Sequence, residues 1–260
     1  MNIALLQLCV NSGETPTQRW ERVEQLLAQL EDSETELVIL PELWAVGFSH
    51  FERYAAEAEC LQGTTVTRLA AWARRLRCHI LTGSFVERTP DGMYNTMALL
   101  DAEGCLLGTY RKMHLFGFAS RERELLQPGQ QARVVATTHG DLGLATCYDL
   151  RFPEQFRWMV DHGAEAFLVC AAWPKARLDD WRLFCRTRAL ENQSFLFACN
   201  HTGEMDGCVG AGHSMAVAPD GTILAEAGEE EAVIWLHVDE QEAKAFRERF
   251  PALRDRVPMK

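Results

Sequence analysis

The chain has 260 residues, of which 47% are hydrophobic and 24% charged, an ordinary globular composition that excludes disordered, collagen-like and mucin-like classes. Its formal net charge of −11 would repel nucleic-acid phosphates and anionic membrane surfaces, so neither is an expected partner. The first residues lack a secretory signal, no apolar run approaches the ~20 residues of a membrane span, and the nine cysteines lack framework spacing, so we expect a cytoplasmic protein.

Short β-like runs alternate with helical stretches along the chain, which predicts an α/β fold of packed layers. In the first half we predict strands at 3–9, 37–40, 78–85, 96–100 and 105–110, with helices at 15–31 and 66–76. In the second half we predict strands at 131–137, 142–147, 166–170, 194–199, 213–218, 222–225 and 232–238, with helices after Pro153, at 180–192 and at 239–249. No linker or repeat interrupts this order, so we predict a single domain over 1–260. The tail, from about 250 to 260, is too polar to bury much alone, and we predict that it packs across a partner subunit.

The stretch 141–154 predicts a buried strand that leads directly into a helix start, with Cys147 at the junction. Such a turn presents a side chain beside backbone N–H groups that can face a developing negative charge, as in a nucleophile elbow. The alternative is a small buried hydrophobe, because free Cys is among the most buried residue types. Packing is our expectation for the cysteines at 9, 60, 78, 105, 170 and 185.

Two other predicted strands also end at a reactive group. Glu42 follows the strand at 37–40, and Lys112 follows the strand at 105–110. Functional residues of open α/β sheets gather outside the carboxyl ends of the strands, so these two side chains and Cys147 are candidates for one site. The alternative is that both charges are merely solvated, and the spacing leaves this open.

The motifs around these residues resemble those of the nitrilase-type carbon–nitrogen hydrolases, which carry a Glu, a Lys and a Cys in this chain order. The matching segments are Pro41-Glu42, Tyr-Arg-Lys112-x-His-Leu-Phe and Cys147-Tyr-Asp-Leu-Arg-Phe-Pro-Glu, with further matches at 188–193, 212–214 and 219–221. The resemblance implies a four-layer α-β-β-α sandwich of two mixed sheets face to face, usually forming a homodimer through the sheet-covering helices. The segment 173–181 is most similar to bacterial omega-amidases, which hydrolyse the terminal amide of α-keto-ω-amides.

The resemblance implies that Cys147 is the nucleophile and that Glu42 is the general base. Lys112 and the backbone N–H of Tyr148 would stabilise the oxyanion, and water would then hydrolyse the thioester without any metal or cofactor. Nitriles, carbamoyl compounds and N-acyl lipids are alternative substrates for an enzyme of this family. The alternative to an enzyme is a non-catalytic α/β module that keeps this layout for binding or assembly.

A second carboxylate is expected at Glu122, where the family keeps another active-site Glu that would orient Lys112. Glu124 competes for this assignment, and both could instead belong to a solvated charge cluster.

On the substrate side the resemblance indicates Phe116, Tyr148 and Trp173. A keto-acid substrate carries a carboxylate remote from the amide, and the guanidinium of Arg177 is the candidate partner for it. The alternative is that Arg177 caps the solvent face of the helix at 180–192, with Lys175 as a second surface charge.

A rival metal site could be formed by two thiols and two imidazoles, those of Cys199, His201, Cys208 and His213. Their spacing matches neither of the usual zinc-finger patterns, so we predict that no metal is bound.

Overall fold

The computed structural model describes residues 1–257. Their strands are β1 (Asn2–Gln7), β2 (Leu37–Ile39), β3 (His79–Thr89), β4 (Gly92–Leu100), β5 (Leu106–Arg111), β6 (Arg133–Thr137), β7 (Gly140–Thr146), β8 (Ala166–Cys170), β9 (Phe195–Cys199), β10 (Glu204–Met205), β11 (Cys208–Val209), β12 (Met215–Val217), β13 (Ile223–Glu226) and β14 (Ala232–His237). Their α-helices are α1 (Pro16–Ala28), α2 (Tyr54–Glu57), α3 (Thr64–Leu76), α4 (Glu122–Leu125), α5 (Pro153–Asp161), α6 (Leu178–Asn192) and α7 (Glu242–Arg249).

Two six-stranded sheets contain all of these strands except the short hairpin β10-β11. The first sheet has the order β14-β1-β2-β3-β4-β5, and the second has the order β13-β12-β9-β8-β7-β6. In each sheet three neighbouring strands run parallel, β1 to β3 and β7 to β9, and the flanking strands are antiparallel. Both sheets are therefore mixed, as the resemblance to the hydrolase family implies.

The core has three apolar layers, which explains why the parallel strands are apolar on both faces. Between the sheets, side chains such as Leu5 and Leu168 pack together. On the outer face of the first sheet, α1 and α3 pack through residues such as Trp20, and on the outer face of the second sheet α5 and α6 pack through residues such as Trp181. This arrangement is the predicted four-layer α-β-β-α sandwich.

Helix α1 shows how the local sequence determines an element. Thr15 caps the helix by accepting a hydrogen bond from the backbone N–H of Gln18, whose side chain returns the contact, and Pro16 occupies the first turn. The periodic residues Trp20 and Val23 then face the first sheet.

The predicted elements are all present, with ends that shift by a few residues. The strand at 166–170 has the predicted bounds, whereas the last helix begins at Glu242 rather than at residue 239. The sequence analysis missed the short elements around the site, namely α2, α4, the hairpin β10-β11 and the 3₁₀ turns Phe51–Arg53, Cys147–Arg151 and Lys175–Arg177. Each is too short to show a periodic pattern.

Two cysteines correct the expectation that six of the nine simply fill the core. Cys60 and Cys105 are exposed, because both lie in connecting segments rather than in strands. The prediction holds for the buried Cys78, Cys170 and Cys185, and Cys9 is partly buried.

The first part of the tail lies over the chain's own helices. Gln193 donates to the carbonyl of Phe250 at 2.7 Å, and Leu253 packs against the apolar layer beneath α5 and α6. Residues 258–260 of the tail fall outside the described residues, and its packing across a partner subunit stays a prediction. None of the helices in residues 1–257 combines the length and the apolarity that crossing a membrane would need.

Candidate active site

Cys147 lies at a sharp turn between β7 and a short 3₁₀ helix, as the sequence predicts. Its backbone is left-handed, with φ of 46°. The turn is closed by Asp149, whose carboxylate accepts a hydrogen bond from the backbone N–H of Thr146, and Pro153 then begins α5. The N–H of Tyr148 belongs to the first turn of the 3₁₀ helix, where N–H groups have no acceptor inside the helix. The geometry is that of a nucleophile elbow.

Glu42 follows β2 and reaches across to the second sheet. Its backbone N–H donates to the carbonyl of Ala171, and its Oε2 accepts a hydrogen bond of 2.9 Å from the backbone N–H of Ala172. Both of these residues follow β8, which lies next to β7 in the second sheet. Backbone groups therefore hold the carboxylate at the carboxyl ends of β7 and β8, where the Cys147 turn begins.

Lys112 follows β5 and is completely buried between two carboxylates. Its Nζ lies 2.8 Å from Oε1 of Glu42 and 3.0 Å from both carboxylate oxygens of Glu122. Glu122 is buried at the start of α4 and also accepts a hydrogen bond of 2.6 Å from the backbone N–H of Phe116. Glu124, by contrast, is exposed and pairs with Arg121 at 3.0 Å. The structure thus brings Glu42, Lys112 and Glu122 together and leaves Glu124 on the surface.

The sequence analysis missed Asn95, which links the two carboxylates. Its Nδ2 donates to Oε1 of Glu42 at 2.8 Å and to Oε1 of Glu122 at 2.9 Å. Its carbonyl accepts from the backbone N–H of Lys112 across the β4–β5 pair. The available signal was a polar amide next to an apolar strand run, which is a weak signal by itself.

Burial and the neighbouring charges together shift the pKa values of Lys112, Glu122 and Cys147. Burial by itself lowers the pKa of Lys112, but Glu122 and Glu42 outweigh burial and raise the pKa well above its usual value. Burial raises the pKa of Glu122, and Lys112 opposes that shift. Burial, reinforced by the charge of Glu42, raises the pKa of the Cys147 thiol well above its usual value, with Lys112 acting in the opposite direction. The resting thiol is therefore protonated at neutral pH and needs a base.

A cavity of about 380 Å³ opens beside Cys147. All four residues predicted for the substrate side line it, namely Phe116, Tyr148, Trp173 and Arg177. The sequence analysis missed further lining residues from the loop after Glu42 and from the β10-β11 hairpin, such as Phe48, Phe51 and Asp206.

Arg177 reaches toward the cavity mouth, where its guanidinium lies 5.9 Å from the ring centre of Phe116 and 5.3 Å from that of Phe118. Within residues 1–257 this guanidinium has no ion-pair or hydrogen-bond partner, and it makes no side-chain cap on α6. The neighbouring Lys175 instead pairs with Glu229 at 2.7 Å on the surface. Arg177 occupies the N-cap position of α6 without a side-chain hydrogen bond to the helix, and its role toward a substrate carboxylate stays a prediction. Lys175 is a surface charge, as the alternative expects.

The rival Cys/His constellation does not form a cluster. Cys199 is buried and contacts the carbonyl of Leu6, and His213 pairs with Glu226 at 2.8 Å. The structure shows no group of three or more potential metal ligands among residues 1–257.

Comparison with known proteins agrees with this geometry. The family model for carbon-nitrogen hydrolases matches residues 2–248. A 2-oxoglutaramate amidase of Paenarthrobacter nicotinovorans is 35% identical over 98% of this chain and 89% of its own length.

Two solved structures are similar over nearly the whole chain. XC1258 from Xanthomonas campestris, a CN-hydrolase superfamily protein with an arsenic adduct in its active site, has a TM-score of 0.92 and 31% identity over 100% of this chain and 98% of its own. A Glu-to-Gln mutant of the amidase from Nesterenkonia sp. AN1 shows the acetamide moiety of fluoroacetamide covalently added at the active-site cysteine. It has a TM-score of 0.83 and 26% identity over 98% of this chain and 93% of its own. With the family model matching almost end to end, this chain belongs to the carbon-nitrogen hydrolase family.

Proposed function

We propose that the protein is a thiol-dependent amidase that hydrolyses the terminal amide of a small α-keto-ω-amide to the acid and ammonia. The observation that carries this proposal is the buried Lys112, held between Glu42 and Glu122 beside the Cys147 turn. A solvent-free cation between two carboxylates is costly to assemble, and such arrangements are concentrated at functional sites. The activity of the 2-oxoglutaramate amidase relative supports the choice of substrate.

In the first half of the reaction Glu42 removes the proton from Cys147, and the thiolate attacks the amide carbon. The electron pair of the carbonyl moves onto its oxygen, where Lys112 and the backbone N–H of Tyr148 stabilise the negative charge. When the tetrahedral intermediate collapses, the carbon–nitrogen bond breaks and Glu42 returns the proton to the leaving ammonia. An acyl thioester on Cys147 remains.

In the second half Glu42 removes a proton from water, which attacks the thioester carbon. The same donors stabilise the second oxyanion, and its collapse breaks the carbon–sulfur bond and regenerates the thiol. Glu122 supports both halves, because its carboxylate keeps Lys112 charged and oriented. No step in this sequence uses a metal or an organic cofactor.

The size and lining of the cavity also support a substrate with an anionic acyl chain. Its volume of about 380 Å³ suits a small molecule, and five aromatic side chains line it, those of Phe48, Phe51, Phe116, Tyr148 and Trp173. The guanidinium of Arg177 is the group we assign to the remote carboxylate, since an unpaired charge in a closed site is costly. Phe116, Tyr148 and Trp173 would contact the chain between the two ends.

We also propose that the active form is a cytoplasmic homodimer. Apolar side chains on the outer helices are exposed, with Leu183 at 62%, Leu190 at 53% and Trp158 at 41%, and Phe250 in the tail at 59%. Covering them with the same face of a second copy would remove this surface from water. Sedimentation velocity tests the assembly, and a monomer at micromolar concentration would exclude it.

The function is tested by measuring ammonia release from a panel that contains a keto-acid ω-amide, plain amides, a nitrile and a carbamoyl amino acid. The wild type should prefer the ω-amide, and Cys147→Ala should release no ammonia while keeping its fold. Mass spectrometry of the wild type should also show an acyl adduct on Cys147. Appreciable turnover by the Cys147→Ala protein would rule out the proposal.

A further inference from the structure

Asp149 is a fully buried carboxylate that accepts four hydrogen bonds. Its Oδ2 accepts from the backbone N–H of Thr146 at 2.8 Å and from the hydroxyl of Tyr110 at 2.7 Å. Its Oδ1 accepts from the backbone N–H of His114 at 3.2 Å and from the ring Nδ1 of His114 at 2.7 Å. An ionised carboxylate only accepts, so the ring proton of His114 lies on Nδ1.

These donors come from the two strand exits that carry the reactive groups. Thr146 is the last residue of β7 and directly precedes Cys147 in the second sheet. Tyr110 and His114 lie two residues before and two residues after Lys112, at the end of β5 in the first sheet. The carboxylate of Asp149 therefore joins the nucleophile turn to both sides of the lysine segment.

The donors are themselves held in place. The hydroxyl of Tyr110 accepts hydrogen bonds from the side chain of Gln155 at 3.0 Å and from the backbone N–H of Met113 at 3.1 Å. Burial and the charge of Asp149 raise the pKa of Tyr110 well above its usual value, so its hydroxyl remains a proton donor. The ring of His114 stacks on Phe152 with centroids 3.7 Å apart. The carboxylate thus lies in a rigid, satisfied network.

We infer that Asp149 is a positioning residue of the proposed amidase, and that it holds Cys147 at the correct distance from Lys112 in the opposite sheet. The inference rests on the proposed function only in taking Cys147 as the nucleophile. The left-handed backbone of Cys147 is a conformation that persists only where the surroundings hold it, and the Thr146–Asp149 hydrogen bond is adjacent to that strained residue. Loss of the carboxylate frees the turn to relax away from the oxyanion donors.

The principal test is Asp149→Asn, which keeps the size of the side chain but turns one acceptor into a donor. A shift of the nucleophile by about 1 Å costs on the order of a hundredfold, so kcat should fall to that extent while KM changes by less than about threefold. Rates are expressed per folded molecule, counted by a thermal unfolding scan. A merely structural role would leave the rate per folded molecule unchanged.

A matched pair at His114 tests the same network without touching Asp149. His114→Asn retains a donor at the position of Nδ1, whereas His114→Ala has none, so the Asn variant should keep most of the wild-type kcat and the Ala variant should lose it. Equal activity of the two variants, or an Asp149→Asn enzyme within about threefold of the wild-type kcat, would overturn the inference. If Asp149→Asn does not fold, the His114 pair decides.

The rate at which iodoacetamide alkylates Cys147 separates this inference from the proposed function, because the reagent needs no amide substrate. Alkylation should slow in Asp149→Asn and His114→Ala and remain near the wild-type rate in His114→Asn. If the wild type hydrolyses no amide but these alkylation rates hold, only the function is wrong. If the wild type is active and the alkylation rates are unchanged, only the positioning role is wrong.

Discussion

The ammonium of Lys112 and the carboxylate of Glu42 lie 2.8 Å apart, and neither side chain is exposed to solvent. Each charge is tolerated there because of the other, since a buried ion without its partner is strongly destabilising. The proposed base and the proposed oxyanion donor are therefore coupled, and a change at one alters the electrostatic environment of the other. The free-energy effects of the two single variants should therefore be compared with that of the double variant, because they are not expected to add.

Glu42→Gln and Lys112→Met should each lower kcat far more than they raise KM, because both groups act on charge that develops in the transition state. Loss of one oxyanion donor costs on the order of a hundredfold or more in known hydrolases. Steady-state ammonia release measures the effect, with circular dichroism to confirm folding. A Lys112→Met enzyme within about threefold of wild type would contradict the assigned role.

Glu122→Gln and Glu124→Gln form a matched pair two residues apart. Glu122 is buried against Lys112, whereas Glu124 pairs with Arg121 on the surface. The first variant should lose kcat and thermal stability, and the second should resemble wild type, because exposed ion pairs contribute about 0–1 kcal/mol. If Glu124→Gln proved to be the impaired enzyme, the two carboxylates would have to exchange roles.

Arg177→Met should lower kcat/KM for a keto-acid ω-amide. The loss of charged hydrogen bonding should raise the corresponding activation free energy by about 1.5–3 kcal/mol. The same change should barely affect kcat/KM for an uncharged amide of similar length. Lys175→Met is the control, since its ammonium pairs with Glu229 on the surface. Equal losses on both substrates would exclude Arg177 as the group that selects the carboxylate.

The pH dependence of thiol alkylation should report the environment of Cys147. Burial and the charge of Glu42 raise the pKa of the thiol above its ordinary value of 9.0, so the thiolate fraction is small at neutral pH and grows only in strongly alkaline solution. Removing the negative charge in Glu42→Gln should move the inflection to lower pH, and removing the positive charge in Lys112→Met should move it to higher pH. An inflection of the wild type below neutral pH would refute this interpretation of the resting state.

Metal removal should leave the activity intact, because the proposed mechanism is complete without a metal. Elemental analysis of the purified protein and assays after chelator treatment provide the measurement. Stoichiometric zinc, with activity lost on chelation and restored on adding the metal back, would revive the Cys199–His213 constellation.

The local pattern predicted that Glu42, Lys112 and Cys147 each follow a strand, but it left open whether they share one site, and only the resemblance to the hydrolase family implied that they do. It left Glu122 and Glu124 unresolved, since the choice depends on which side of the short helix α4 faces Lys112. Asn95 was missed for a related reason: its role arises from how β4 and the loop after β2 meet in space. Contacts of this kind depend on strand register, which no local pattern in one sequence reveals.

The left-handed backbone at Cys147 raises the free energy of the folded protein at the position of the proposed nucleophile. For a residue other than glycine this conformation costs about 1–2 kcal/mol, and glycine adopts it freely. A glycine at position 147 would therefore relieve the strain and remove the thiol at once. Selection of variants for heat resistance alone would favour such dead enzymes, so any programme of stabilisation must screen for turnover at every round.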